Sequence, residues 1–281
     1  MMAAMAGFTL NDTAIKHITE TLPLYETLFL RSIATVMLLW MIGLAKGGLQ
    51  LRLSRADTRI LAWRTVGEIL ATVFFMTALM HMPIADLSAI MQSLPLAVTL
   101  AAAIWFGESI GWRRITAILI GFAGVMLIIR PGGEGFGIWS VLGVGAVLSV
   151  VLRDMVTRRF SRSVSSVAIS FYAGLSILVV GAVMIPFDGW QNPTLAELAG
   201  ITLAALAIIG GYLAVVMAMR VGEVGMVAPF RYTSLLWAVV MGYLVFGDLP
   251  DLWTLSGAAL VIGSGVYAFY RERVLARLSL G

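Results

Sequence analysis

FGESIGWRRITAILIGFAGVMLIIRPG (106–132) and FGDLPDLWTLSGAALVIGSGVYAFYR (246–271) are two versions of one pattern. Each opens on Phe-Gly and an acidic residue, passes through a short turn to a tryptophan, and continues as an apolar, glycine-containing run. Phe106-Gly107-Glu108 aligns with Phe246-Gly247-Asp248, Trp112 with Trp253, Gly124-Val125 with Gly265-Val266 and Arg130 with Arg271, at an offset near 140 residues. Close to the same offset, Asp12 and Lys16 fall on Asp154 and Arg158 with their i, i+4 spacing kept. Matches in the same order at a shared offset indicate a duplicated chain.

Outward from these stretches, the rest reads the same way. Of 281 residues, 60% are hydrophobic and 12% charged, with a mean hydropathy of +0.97. Soluble domains are about half apolar and a quarter charged, so a soluble enzyme, a disordered chain and a nucleic-acid-binding domain are excluded. A membrane helix needs about 20 mostly apolar residues. Ten such spans are expected: 2–19, 24–44, 60–80, 85–106, 113–130, 137–157, 165–185, 197–219, 224–246 and 253–270. Long continuous runs, in place of alternating ten-residue segments, exclude a β-barrel. The first span lacks the basic start and small-residue cleavage site of a secretory leader, and is expected to be a true span.

The basic residues set the orientation. With the N-terminus cytoplasmic, fifteen Lys and Arg fall on the cytoplasmic side. They are Lys46, Arg52, Arg55, Arg59, Arg64, Arg113, Arg114, Arg153, Arg158, Arg159, Arg162, Arg220, Arg271, Arg273 and Arg277. Arg130 and Lys16 lie toward the other side, while Arg31 and Arg231 lie within spans. Both termini are therefore expected in the cytoplasm and the chain in the cytoplasmic membrane. Seven tryptophans near span ends agree, Trp237 in mid-span being the exception.

The fold class that follows is all-α: a polytopic membrane protein of ten transmembrane helices in two halves, 1–132 and 133–281. Five spans per half is an odd number, so the second half enters the membrane from the other side and the halves form inverted repeats. Inverted repeats are a common construction for secondary transporters, with the binding site between them.

These residues resemble the drug/metabolite transporter superfamily, specifically its EamA-type ten-span carriers. Each half closes on that family's acidic turn and Gly-rich last helix. GEVGMVAPFRYTSLLWAVVMGYLVFGD (222–248) is similar to its ninth helix, and LNDTAIKHI (10–18) and LFLRSIATVMLL (28–39) to its first two. The resemblance covers nearly the whole chain. It implies a bundle in which spans 1–4 and 6–9 surround a central cavity while spans 5 and 10 pack outside. It implies alternating-access transport of small organic solutes. Relatives include YddG-type exporters of amino acids and methyl viologen, S-adenosylmethionine carriers, and nucleotide-sugar or triose-phosphate carriers. Asp12 in span 1 and Arg231 in span 9 depart from the simplest pattern and argue against a purely apolar cavity.

A charge at mid-bilayer must be paired or wet. Asp12 and Lys16 share a helix face and form either an internal pair or a zwitterion site; the neighbours Asn11 and Thr13 point elsewhere. Arg31 and Arg231 are snorkelling side chains or carboxylate anchors, Arg231 favoured by Tyr232, Thr233 and Trp237 nearby. Glu68 pairs with Arg64 at i, i+4 or carries a proton, and Asp12 is the second proton-coupling candidate. Glu108 and Asp248 tie short turns. Gln92 precedes Pro95, and Pro229 lies in span 9, both at places where freed carbonyls border a cavity. Tyr172 and Tyr212 are inward-facing candidates on spans 7 and 8. The expected lining is thus Asp12, Lys16, Arg31, Gln92, Tyr172, Tyr212, Arg231, Tyr232 and Trp237.

The expected partners are a small-molecule substrate and the lipid bilayer, not nucleic acid, with monomer and homodimer both open. No cofactor or metal is expected: there is no cysteine, and the two histidines, His17 and His81, stand apart. No HExxH motif, catalytic Cys or Ser–His pairing supports an enzyme, and no P-loop supports a nucleotide-driven pump. The leading function is export of amino acids, aromatic ones above all, and of related metabolites or drugs. The alternative is uptake or exchange of an anionic or adenosyl metabolite such as S-adenosylmethionine.

Overall fold

The computed structural model describes residues 1–45, 52–107, 111–130, 137–161, 164–221 and 228–278. Their regular structure is helical, with no strand among the described residues. The helices are α1 (Met2–Ile18), α2 (Leu24–Ala45), α3 (Arg55–His81), α4 (Ile84–Met91), α5 (Leu94–Phe106), α6 (Trp112–Ile129), α7 (Ile138–Thr157), α8 (Ser166–Asp188), α9 (Leu195–Val221), α10 (Thr233–Met241) and α11 (Leu252–Leu278). A 3₁₀ turn (Ala228–Tyr232) precedes α10 and a π turn (Gly242–Phe246) follows it. Eight helical segments among the described residues are long and apolar enough to cross a membrane, α4 and α5 together making one. The 17-residue α1 and the shorter apolar segment Phe230–Phe246 are the other two expected spans.

Side chains such as Ile104, Leu119, Leu148, Phe187 and Leu244 stand outward and exposed. So large an apolar exterior suits lipid and not water.

The fourth expected span is not one helix. Pro95 in the first turn of α5 has no N–H to give Met91, and the chain breaks at Gln92-Ser93. The ninth changes helix type twice around α10. Other ends differ by a few residues: α3 begins at Arg55 because Ser54 caps it, its Oγ accepting from Asp57 N at 3.0 Å.

The helix contacts close a ring. In order around it come α1, α9, α2, α8, α3, α7, then α4 with α5, then α10, which returns to α1. Every interface in this ring joins a helix of the first half of the sequence to one of the second. Outside it, α6 and α11 pack chiefly on each other and reach the ring mainly through α4 and α5. This is the arrangement implied by the resemblance. The Phe-Gly turns also match: Gly107 (φ 67°) and Gly247 (φ 74°) both end their helices in the left-handed region, where a side chain would be strained.

Candidate functional site

Five ring helices carry charged or polar side chains that converge. On α1, Asn11 is buried; its Nδ2 donates to Asp12 Oδ1 at 2.9 Å and its Oδ1 accepts from Arg31 of α2 at 3.3 Å. Asn11 therefore joins the two charges. Asp12 is half-buried and Arg31 buried.

On α3, Arg64 and Glu68 lie one turn apart at 3.1 Å, as the i, i+4 spacing indicates. From α7, Arg153 reaches the other oxygen of Glu68 at 3.4 Å and bonds Asp154 at 3.0 Å. Gly67 makes this possible. A Cβ there would lie 3.0 Å from the backbone nitrogen of Arg153, so any side chain would make the α7 backbone give way by a few tenths of an ångström. The pair α3·α7 is also fastened at both ends. Ser161 donates to Asp57 from N at 3.1 Å and Oγ at 2.9 Å, and His81 stacks on Trp139 with ring centres 3.7 Å apart.

Tyr212 of α9 lies within electrostatic reach of Glu68, Arg153, Arg64 and Arg31. It exposes 53% of its surface, although those neighbours come from three other ring helices. Phe8 packs edge-on against it, ring centres 5.3 Å apart. Asp12, Arg31, Glu68, Arg64, Arg153 and Asp154 thus supply charges of both signs from α1, α2, α3 and α7.

Lys16 lies elsewhere. Its ammonium donates to the Met82 carbonyl, in the α3–α4 connection, at 2.6 Å and stands 5.0 Å from the centre of the Phe246 ring. Of the two readings of that spacing, the internal Asp12–Lys16 pair is not made: the Met82 carbonyl beside Pro83 takes the ammonium, and Asp12 takes Asn11. Asn11, expected to point away, is the connector. Lys16 joins the ends of three spans at the face opposite most of the arginines.

Gln92, at the break in span 4, donates to the Tyr232 carbonyl at 3.2 Å and to Ser234 Oγ at 2.8 Å, tying the two irregular spans together. Tyr232 is buried against Gly265 of α11, and Trp237 donates to the Met2 carbonyl at 3.2 Å. Arg231 is exposed. The structure therefore does not gather Arg231, Tyr232 and Trp237 on one surface. Tyr172 packs edge-on against Phe171, which meets Trp40. Asp248 helps close its turn, its N–H donating to the Gly242 carbonyl at 3.1 Å, while Glu108 lies outside the described residues.

The sequence reading missed Arg153 and Asp154 as site residues. The repeat alignment had already placed Asp154 on Asp12, and that was the available signal. No cluster of metal-binding side chains occurs among the described residues.

Comparison with known proteins fits this architecture. The EamA-like transporter family model matches twice, at residues 1–130 and 137–270. The S-adenosylmethionine uptake transporter of Rickettsia bellii is 27% identical over 283 residues, covering 97% of this chain and 92% of that protein. The pseudopaline exporter CntI of Pseudomonas aeruginosa is 24% identical over 266 residues, covering 93% of this chain and 92% of that one. The riboflavin transporter of Vibrio cholerae is 28% identical over 217 residues, covering 73% and 70%. A solved crystal structure shares the fold with a TM-score of 0.65 at 19% identity, covering 95% of this chain and 96% of that one. The chain is a multi-pass membrane protein and belongs to the EamA-like transporter family of the drug/metabolite transporter superfamily.

Proposed function

We propose that the protein is a secondary carrier that takes up or exchanges an amphoteric, amino-acid-headed metabolite of the S-adenosylmethionine class. The observation that carries this reading is Asp12, half-buried inside a closed ring of helices and held through Asn11 to Arg31. An intramembrane carboxylate is a site for a cationic group. An ammonium or sulfonium centre suits Asp12, with Arg31 positioning the Asn11–Asp12 pair. Relatives that match nearly the full chain are named for S-adenosylmethionine uptake and pseudopaline export, which supports this class over the export of aromatic amino acids.

Alternating access fits the same picture. In our reading, 1–132 and 133–281 are inverted repeats, supported by the double family match, the interleaved ring and the paired glycine turns. The packed pair α1·α9 and the fastened pair α3·α7 move as units, and Lys16 on Met82 and Phe246 is the latch of the face opposite the basic one. The basic face, with both termini, lies in the cytoplasm of the cytoplasmic membrane.

Ligand-dependent thermal stabilisation of the purified protein tests the substrate class. A ligand at a hundredfold excess over its dissociation constant stabilises by about 2.7 kcal/mol. S-adenosylmethionine is expected to raise the melting temperature by several degrees, with tryptophan and phenylalanine inert. The reverse order contradicts the proposal and restores the amino-acid reading.

A further inference from the structure

The Arg64–Glu68–Arg153 cluster is richer in donors than its acceptors can use. Two guanidiniums carry ten N–H groups between them, and they share one Glu68 and, for Arg153, Asp154. Nε and Nη1 of Arg64 and Oε2 of Glu68 are buried without a well-aligned hydrogen bond among the described residues. The Arg153 side chain is 23% exposed, and the half-exposed Tyr212 lies next to it. Guanidiniums are suited to a planar carboxylate.

We propose that Arg64 and Arg153 form the anion subsite of this carrier, with Glu68 as its resident counter-ion, so that a substrate carboxylate docks as Glu68 takes up one proton. The inference rests on the substrate reading above. It assigns the substrate's carboxylate to this cluster and leaves its cationic centres with Asp12.

Charge conservation carries the argument. Arg64, Arg153, Glu68 and Asp154 together are neutral. A docked carboxylate adds a negative charge within the membrane, which is costly unless it is compensated. Protonating Glu68 restores neutrality and frees both guanidiniums for the incoming group. When the substrate leaves, Glu68 returns its proton to solvent and pairs again with both arginines. Glu68 is faced by Arg64 on its own helix, Arg153 on α7 with Asp154 bonded behind it, Tyr212 on α9 and Arg31 on α2. Of the other helices packed on α3, α8 carries Tyr172 and, at its far end, Asp188, and α4 carries Asp86.

The test is proton uptake by the purified protein in weakly buffered detergent solution, read with a pH indicator as S-adenosylmethionine is added. Wild type is expected to take up about one proton per substrate bound, with affinity rising up to about tenfold for each unit the pH falls while Glu68 is ionised. Glu68→Gln is expected to bind without that uptake and with affinity no longer pH-linked, which also subtracts any titration of the substrate itself. Arg153→Lys, which keeps the charge but loses the planar fork, is expected to bind more weakly and still take up the proton. Binding by wild type without proton uptake overturns the coupling and leaves the substrate reading standing. A folded Glu68→Gln that binds nothing overturns it too, because Glu68 would then be a direct ligand. Should Glu68→Gln not fold, the wild-type proton count decides alone. No binding by wild type at any pH overturns both the substrate reading and the subsite.

Discussion

Arg153 on α7 sets a guanidinium nitrogen 3.4 Å from a carboxylate oxygen of Glu68 on α3. The contact joins the two halves of the sequence inside the ring, between the fastened ends of a helix pair. Breaking a buried ion pair by removing one partner costs about 3–5 kcal/mol. Arg153 retains some solvent contact, so the lower end of that range, about 3 kcal/mol, is expected for Arg153→Met. Chemical or thermal unfolding in detergent checks this; a loss below about 1 kcal/mol would place the pair among ordinary surface bridges.

Gly67 is what allows that approach. A side chain at this position meets the Arg153 backbone, which cannot rotate aside. Gly67→Leu is expected to push α7 away, cost about 1–3 kcal/mol and reduce transport. Wild-type flux in Gly67→Leu would show that α3·α7 tolerates separation.

Asp12→Asn keeps the shape of the side chain and its place beside Asn11 but removes the charge. Hydrogen bonds to charged groups contribute about 1.5–3 kcal/mol, so affinity for a cationic amphoteric substrate is expected to fall tenfold or more. Isothermal titration measures it. Unchanged affinity would assign Asp12 to structure alone.

Lys16 is the latch residue in our reading, so Lys16→Met is expected to open the face opposite the basic one. The natural chain has no cysteine, so a single Met82→Cys reporter gives a clean background. Labelling by a membrane-impermeant maleimide in oriented vesicles should accelerate severalfold in the Lys16→Met background. An unchanged rate would leave Lys16 a mere tether.

At the same face, Arg130 at the end of α6 pairs with Asp251 just before α11. Burial alone would raise the Asp251 pKa, but hydrogen bonds from Thr254 and Arg130 outweigh it and hold the carboxyl below its usual value. A depressed folded pKa makes this contribution full above the unfolded-state pKa. It is lost as pH falls through the folded one. Wild type and Asp251→Asn should therefore differ in melting temperature at neutral pH and converge only in strong acid. A difference that grew with acidity would contradict this assignment.

Much of this was legible in the sequence because bilayer physics is simple to read. The spans follow from apolar length, and the matching left-handed glycine turns from the two Phe-Gly stretches. The Arg64–Glu68 pair follows from helical spacing. Contacts between distant helices were not legible. Arg153 meets Glu68 only because the ring interleaves the halves, and no spacing along the chain encodes that. Lys16 and Asp12 share a helical face, yet a backbone carbonyl beside Pro83 competes successfully for the ammonium. The break at Gln92 was foreshadowed by Pro95; its hydrogen bonds to Tyr232 and Ser234 depend on a second irregular span 140 residues away.

Counterflow in liposomes holding only this protein settles most directly whether it is a carrier of this class. Vesicles loaded with unlabelled S-adenosylmethionine are diluted into labelled S-adenosylmethionine, with tryptophan-loaded vesicles and labelled tryptophan in parallel. Transient, saturable accumulation of labelled S-adenosylmethionine, reduced about tenfold or more by Asp12→Asn and absent for tryptophan, is the expected result. Accumulation of tryptophan with none of S-adenosylmethionine would contradict the proposed substrate class and leave the fold and the family as they stand.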